Sequence, residues 1–236
     1  MKRLALVLVL VLAGVGAGFG APSAMAGTEC RGLQSCILVV GPWVQVPAGP
    51  TPTYYHLACP GPGQTVGGLD ADRARRAVDV TFLGALGGPV APGTTTGREI
   101  VFVARATGAR AVTFRPRLGC IPAVGGGGRS RTSYEPTRRL AAYVAAVRPA
   151  VTWRARSVRV RSSGQTVLAG CRLGERLLSF SSVIAFRTAK APSAAQLVSV
   201  RSSEIRLRER LSIASARGHP PTGVRVQLQA LAVCGA

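Results

Sequence analysis

Apolar and polar residues alternate with a period of two along several short stretches of this chain. Val224, Val226, Leu228 and Ala230 alternate with Arg225, Gln227 and Gln229, and Cys234 falls on the apolar parity. Earlier, Val112, Phe114, Leu118 and Cys120 share one parity while Thr113, Arg115 and Arg117 take the other. Such alternation predicts half-buried antiparallel strands whose cysteines point inward. Tyr55, Leu57 and Cys59 share a face, as do Val167, Ala169 and Cys171. Each half of the chain thus carries two inward cysteines on separate strands. His56 has the opposite parity and is expected to face solvent.

Other stretches fill the space between these cysteines. Val78, Val80 and Phe82 alternate with Asp79 and Thr81, and residues 100–104 are apolar on both faces, as in a central strand. Leu178, Phe180, Ile184 and Phe186 share a parity that Ser182 interrupts. Along Val151, Trp153 and Ala155, then Val158 and Val160, the parity slips once, which predicts a bulge. Val198 and Val200 are even-numbered, whereas Ile205, Leu207, Leu211 and Ile213 are odd. A turn or bulge is therefore expected near Ser202 and Ser203, and a second irregularity near Glu209. Turns are marked by Pro47-Ala48-Gly49-Pro50, Gly61-Pro62-Gly63, Gly87-Gly88-Pro89 and Gly218-His219-Pro220-Pro221. The one helix candidate is residues 136–148, where Leu140, Tyr143, Val144 and Val147 form a stripe and Pro149 would stop it.

One spacing occurs twice: Trp43, Cys59, Cys120 and then Trp153, Cys171, Cys234. The expected fold is therefore all-β, with two tandem disulfide-stapled antiparallel β-sandwich-like domains related by internal duplication. The expected division is a signal peptide at 1–26, a first domain at 27–124, a Gly-rich linker at 125–137 and a second domain at 138–236. The two tryptophans, at equivalent places in the repeat, are expected to share a core role. The cysteine pair in a β-domain resembles the immunoglobulin type. There the core tryptophan lies between the two cysteines, and here both tryptophans precede the first. Only the sandwich architecture is carried over.

The first 26 residues have the three parts of an export signal. Lys2 and Arg3 open it, residues 4–19 are apolar but for glycines, and Ala24-Met25-Ala26 offers small residues for cleavage before Gly27. A retained membrane anchor is the competing reading, but the strongly apolar part covers only about half of the roughly 20 residues a bilayer needs. Cys30 follows Gly27-Thr28-Glu29, not the small apolar run of a lipoprotein signal. All six cysteines follow this leader, so three disulfides are expected outside the reducing cytosol. Of the 15 pairings that six cysteines allow, the repeat selects Cys59–Cys120 and Cys171–Cys234, leaving Cys30–Cys36.

Charge separates the halves. The whole chain carries a formal +21, and residues 129–236 hold 18 Arg and one Lys against four acids. Residues 27–128 hold nine Arg against five acids. Arg outnumbers Lys 28 to 2, which a GC-rich coding sequence also produces. The functional reading of the excess is an anionic partner, a cell-wall polymer or a phospholipid surface. No recognition helix or RNA-binding motif supports nucleic acid. Arg154, Arg156, Arg159, Arg161, Arg206, Arg208 and Arg210 are the candidate contacts.

Catalytic and metal chemistry finds little to build on. The two histidines are His56 and His219, and no Gly-x-Ser-x-Gly elbow is present. Asp70-Ala71-Asp72 opens like a calcium loop, but Ala74 and Arg75 stand where a ligand and the turn glycine belong, so a surface turn or helix start is expected there. The cysteines lack zinc spacing. The glycines at 125–128 lack the Gly-Lys-Ser/Thr ending of a phosphate loop. Asp70, Asp72, Asp79 and Glu99 are the only carboxylate cluster a glycosidase could use, and Trp43 with Tyr54 and Tyr55 is the candidate aromatic patch. The expectation is a secreted bacterial protein without enzymatic activity, cofactor or metal, acting as an extracellular binding or structural module. A secreted hydrolase with its site between the domains, or an inhibitor or protein-interaction module, are the alternatives.

Overall fold

The computed structural model describes residues 30, 35–61, 63–83, 97–122, 151–208 and 210–235. The leader at 1–26, the Gly-rich segment at 125–137, the helix expected at 136–148 and the turn at Gly87-Gly88-Pro89 lie outside the described residues. The described residues are all-β with one short helix. In order, the strands are β1 (Ile37–Val40), β2 (Trp43–Val46), β3 (Thr53–Ala58), β4 (Gln64–Arg73), β5 (Val78–Leu83), β6 (Glu99–Ala106) and β7 (Val112–Pro122). The second half follows with β8 (Val151–Arg159), β9 (Gln165–Gly170), β10 (Arg176–Arg187), helix α1 (Ala194–Val198), β11 (Val200–Arg208), β12 (Leu211–Gly218) and β13 (Arg225–Gly235). Three disulfides join Cys30–Cys36, Cys59–Cys120 and Cys171–Cys234.

Every strand pair is antiparallel. In the first half β2 and β4 pair with β7, and β3 and β5 pair with β6. In the second, β8 and β10 pair with β13, and β9 and β11 pair with β12. The two halves thus repeat one pairing scheme. They are not simply strung together, because β2 also pairs with β10 through Val44↔Ala185 and Trp43↔Phe186. One seven-stranded sheet therefore runs through both halves, and two three-stranded sheets, β3-β6-β5 and β11-β12-β9, lie against it.

The cysteines occupy matching places in this scheme, and the tryptophans do not. Cys120 stands opposite Ile37 and Cys234 opposite Thr152. Strands β1 and β2 together therefore fill the place that β8 fills alone. Trp153 stands opposite Val233, the residue before Cys234; the residue before Cys120 is Gly119, whose partner is Leu38. Trp43 lies further along, where Ser157 lies in β8. The break between β1 and β2 falls at Gly41, whose N–H donates to Pro116 O at 2.8 Å. A Cβ there would lie 2.7 Å from Pro116 Cγ, so the close approach requires glycine.

Burial follows from the shared sheet. Adjacent residues of a strand face opposite sides, and β10 uses both. Val183 and Ala185 join a buried cluster with Tyr55, Phe82, Phe102, Phe114 and Leu118. Ile184 and Phe186 join a second cluster with Leu197, Ala214, Leu228 and Trp43. The small sheets therefore cover opposite faces of the large one, and their coverage overlaps at β2 and β10. Trp43 is 7% exposed and belongs to the second half's core. Trp153 is only half-buried. The expected shared role of the two tryptophans is thus corrected by register.

Several strand expectations change for the same reason. Strand β8 runs unbroken against β13 from Val151 to Arg159, with no bulge; its odd and even residues simply serve different faces. The irregularity in β10 falls between Leu177 and Ser179, so Leu177 is buried and Leu178 is 55% exposed. Strand β11 is regular through Ser202 and Ser203, and its slip lies between Arg206 and Arg208. On β12 the small residues Ser212, Ala214 and Ala216 face the core. Ile213 faces outward in register with Ile205 and Leu168, which are 58% and 45% exposed. Asp70-Ala71-Asp72 lies within β4, not in a turn or a helix start.

Tyr55 lies deep in the first core at 2% exposure. Burial pushes its phenol above the ordinary value, and the Arg187 guanidinium pulls weakly the other way. The folded protein therefore holds this proton more tightly than the unfolded chain does. Its contribution to stability is complete below about pH 10 and is lost as the pH rises beyond it. Urea unfolding from neutral to strongly alkaline pH is expected to show a declining free energy above that point. Tyr55→Phe is expected to remove part of the decline; an unchanged pH profile in that variant would contradict the assignment.

Candidate functional site

Three strands of the shared sheet end together at one rim. Arg187, the last residue of β10, stands directly opposite Arg225, the first of β13. Arg159, the last residue of β8, stands opposite Gln227 on the same face. Arg161 follows in a tight turn closed by the Gly164 N–H donating to Arg161 O at 2.9 Å, with Gly164 at φ +83°. A second turn faces it, where the Val224 N–H donates to Pro221 O at 3.0 Å and Gly223 takes φ +75°. Positive φ at both turns is what selects glycine there.

The four arginines line an open groove of about 830 Å³ together with Pro220 and Pro221. All four are exposed, and none makes an ion pair among the described residues. Like charges placed directly across a strand pair repel, so the Arg187–Arg225 pair raises the potential of the groove. An anion entering it would relieve that repulsion and would meet planar guanidinium groups suited to bidentate oxygen ligands. Arg187 also ties the groove to the first core through its field at Tyr55.

The seven arginines singled out from the sequence do not form one patch. Arg159 and Arg161 line the groove. Arg156 is exposed on β8 but shares the parity of Val158 and Val160, on the other face. Arg154 is engaged: its Nη2 and Nε donate to Glu175 Oε1 and Oε2 at 2.5 and 3.1 Å. The Arg172 N–H donates to the same carboxylate at 2.8 Å. These contacts, the Arg154 hydrogen bond foremost, hold the Glu175 carboxyl below its ordinary range. Arg210 is exposed at the turn between β11 and β12. The side chains of Arg206 and Arg208 lie outside the described residues.

Arg187 and Arg225 are the groove residues that the sequence reading missed. Arg225 opens the polar parity of its strand, and Arg187 follows the last apolar residue of β10. Only the register places them side by side.

His56 does not face solvent. Its N–H donates to Gln229 Oε1 at 2.6 Å, and Gln229 Nε2 donates to His56 O at 3.0 Å and to Ser157 Oγ at 3.2 Å. The Gln229 amide thus stands where a neighbouring strand would, and locks β3 to β13. The His56 ring, with a side chain 14% exposed, pairs with Glu99 Oε2 at 2.8 Å, and among the described residues no hydroxyl bonds it. His219 is exposed in its Pro/Gly turn.

The four carboxylates of the sequence reading are spread over three strands. Asp72 pairs with Arg117 at 3.4 Å from β4, next to Asp70; Asp79 is exposed on β5, and Glu99 meets His56 on β6. Trp43 and Tyr55 belong to opposite cores, so they form no aromatic patch with Tyr54. Cys171, Glu175 and Cys234 lie close together, but both sulfurs are in a disulfide and offer no thiolate to a metal. Among the described residues no helix is long and apolar enough to cross a membrane. No protein-family model, curated protein or solved structure matches this chain.

Proposed function

We propose that this is a secreted bacterial protein without catalytic activity that binds an anionic polymer or phospholipid surface through the arginine groove of its second half. The observation that carries the reading is the acid-free cluster of Arg159, Arg161, Arg187 and Arg225 around one open groove. Three disulfides support an oxidising destination, and the leader at 1–26 supplies the route. The matching pairing schemes and matching cysteine bridges support descent by internal duplication. On that view β1–β2 and β8 diverged from one strand, and the groove arginines belong to what differs between the copies.

The test is retention of the oxidised chain on vesicles of anionic phospholipid and, separately, on an immobilised phosphate-rich wall polymer. Each basic residue at an anionic membrane contributes about 1 kcal/mol. Replacing Arg159, Arg161, Arg187 and Arg225 together by Gln is therefore expected to weaken vesicle binding by roughly two to three orders of magnitude. The wild-type protein is expected to elute with moderate salt. Replacing Arg75, Arg76, Arg105 and Arg110 by Gln removes the same charge from the first half and is expected to cost far less. Equal losses from both sets would reduce the interaction to net charge and reject the groove.

A further inference from the structure

We propose that the edge of β10 at residues 180–182 is a docking slot for an extended polypeptide segment of another protein, which adds there as a strand. Strand β2 leaves the large sheet after Val46, while β10 continues past it with no strand partner on that side among the described residues. The backbone alternation can be read from one contact: the Ser182 N–H donates to the Glu204 carboxylate of β11, not to β13. Residues 180 and 182 therefore turn their N–H and C=O groups to the open side. A carboxylate only accepts hydrogen bonds, so Glu204 satisfies one N–H and leaves the carbonyls of Phe180 and Ser182 without a donor among the described residues.

The space beside this edge is a cavity of about 510 Å³. Val200 and Glu204 of β11 wall one side, and Thr53 and Tyr54 of β3 the other. Two buried polar atoms at its lining, Gln45 Oε1 and Ser182 Oγ, have no hydrogen-bond partner among the described residues. Buried polar groups are nearly always paired, so these atoms mark unmet demand beside the unmet carbonyls. A peptide backbone supplies alternating donors and acceptors at strand spacing, which is what such an edge takes up. The same molecule shows the substitution elsewhere, where the Gln229 amide completes the edge of β3. Because the β10 edge is recessed between β11 and β3, a single extended segment can reach it, and the edge of a second folded copy cannot.

The probe is a capped peptide of alternating valine and threonine, about six residues long to match a typical strand, with its fully N-methylated counterpart as control. Amide hydrogen exchange of the oxidised full chain is followed by NMR as peptide is added. The unmodified peptide is expected to bind saturably and to slow exchange at Phe180 and Ser182 about tenfold or more. The N-methylated peptide is expected not to bind. Glu204→Ala frees the Ser182 N–H and is expected to tighten binding about fivefold, near the worth of one net hydrogen bond. Ser182→Pro removes both the N–H that faces the slot and the Ser182 hydroxyl, and is expected to weaken binding about tenfold. Should that variant fail to fold, the two peptides still decide the matter. Absence of binding, equal binding of both peptides, or protection of these amides by self-association would overturn the proposal.

Discussion

Replacing Cys59 and Cys120 together by alanine is expected to lower the unfolding free energy of the whole chain by about 4 kcal/mol on the chain-entropy estimate. The bridge closes 61 residues and ties the end of β3 to β7, with Cys59 and Cys120 3% and 0% exposed. Cys171–Cys234, closing 63 residues, is expected to contribute as much. For a domain whose total stability is about 5–15 kcal/mol, either loss is large. The form of the change tests the architecture as well as its size. Since β10 supplies residues to both cores, the doubly substituted chain is expected to unfold in one transition with a lower midpoint. Guanidinium titration followed by circular dichroism and by tryptophan fluorescence checks this. Two separated transitions would mean that the halves fold independently.

Trp43→Ala is expected to cost about 3–5 kcal/mol, the loss typical of a large aromatic removed from a packed core. Trp153→Ala is expected to cost nearer 1 kcal/mol, because that ring is only half-buried on β8. Trp43 packs among Phe186, Leu197 and Leu228, and the Arg115 guanidinium lies 5.8 Å from its ring centroid. Phe186→Ala in the same cluster is expected to match the Trp43 loss. The comparison is made by urea denaturation of the three variants at one pH. Equal losses from the two tryptophans would restore their equivalence and contradict the register.

The parts of this fold that could be read from the chain are those written in local alternation. Strands β7 and β13 and the inward Cys120 and Cys234 follow from period two, and the repeat then selects the disulfide pairing. The polar parity is expected in solvent, but Thr113, Arg117 and Gln229 are buried because these strands are central, and Cys171 follows β9 only partly buried. What could not be read is what depends on register. The Trp43–Cys59 and Trp153–Cys171 spacings look alike because β1–β2 is broken at Gly41 while β8 is continuous, a difference that spacing alone does not show. Ile205 and Ile213 misled for another reason: β12 faces its core with Ser212, Ala214 and Ala216, so the bulkier parity is the outer one. His56 had the parity of an exposed residue, but its ring is paired with Glu99 and its backbone with Gln229 of the second half. The arginine groove was half legible: Arg159 and Arg161 are neighbours in sequence, whereas Arg187 and Arg225 meet them only when three strand ends align.

The sharing of β10 between two cores has a consequence for how the chain comes to be folded. A polypeptide delivered from its N-terminus presents β2 and β7 long before β10, so Val44, Val46 and Phe114 wait with one side of their packing unfilled until Val183 and Ala185 emerge. Trp43 waits longer still, since Leu228 and Ala230 come from the last described strand. Neither core can close in order of synthesis. The early half must remain unfinished, with its apolar residues held from wrong partners, until β10 has been delivered, and Trp43 until β13 has followed.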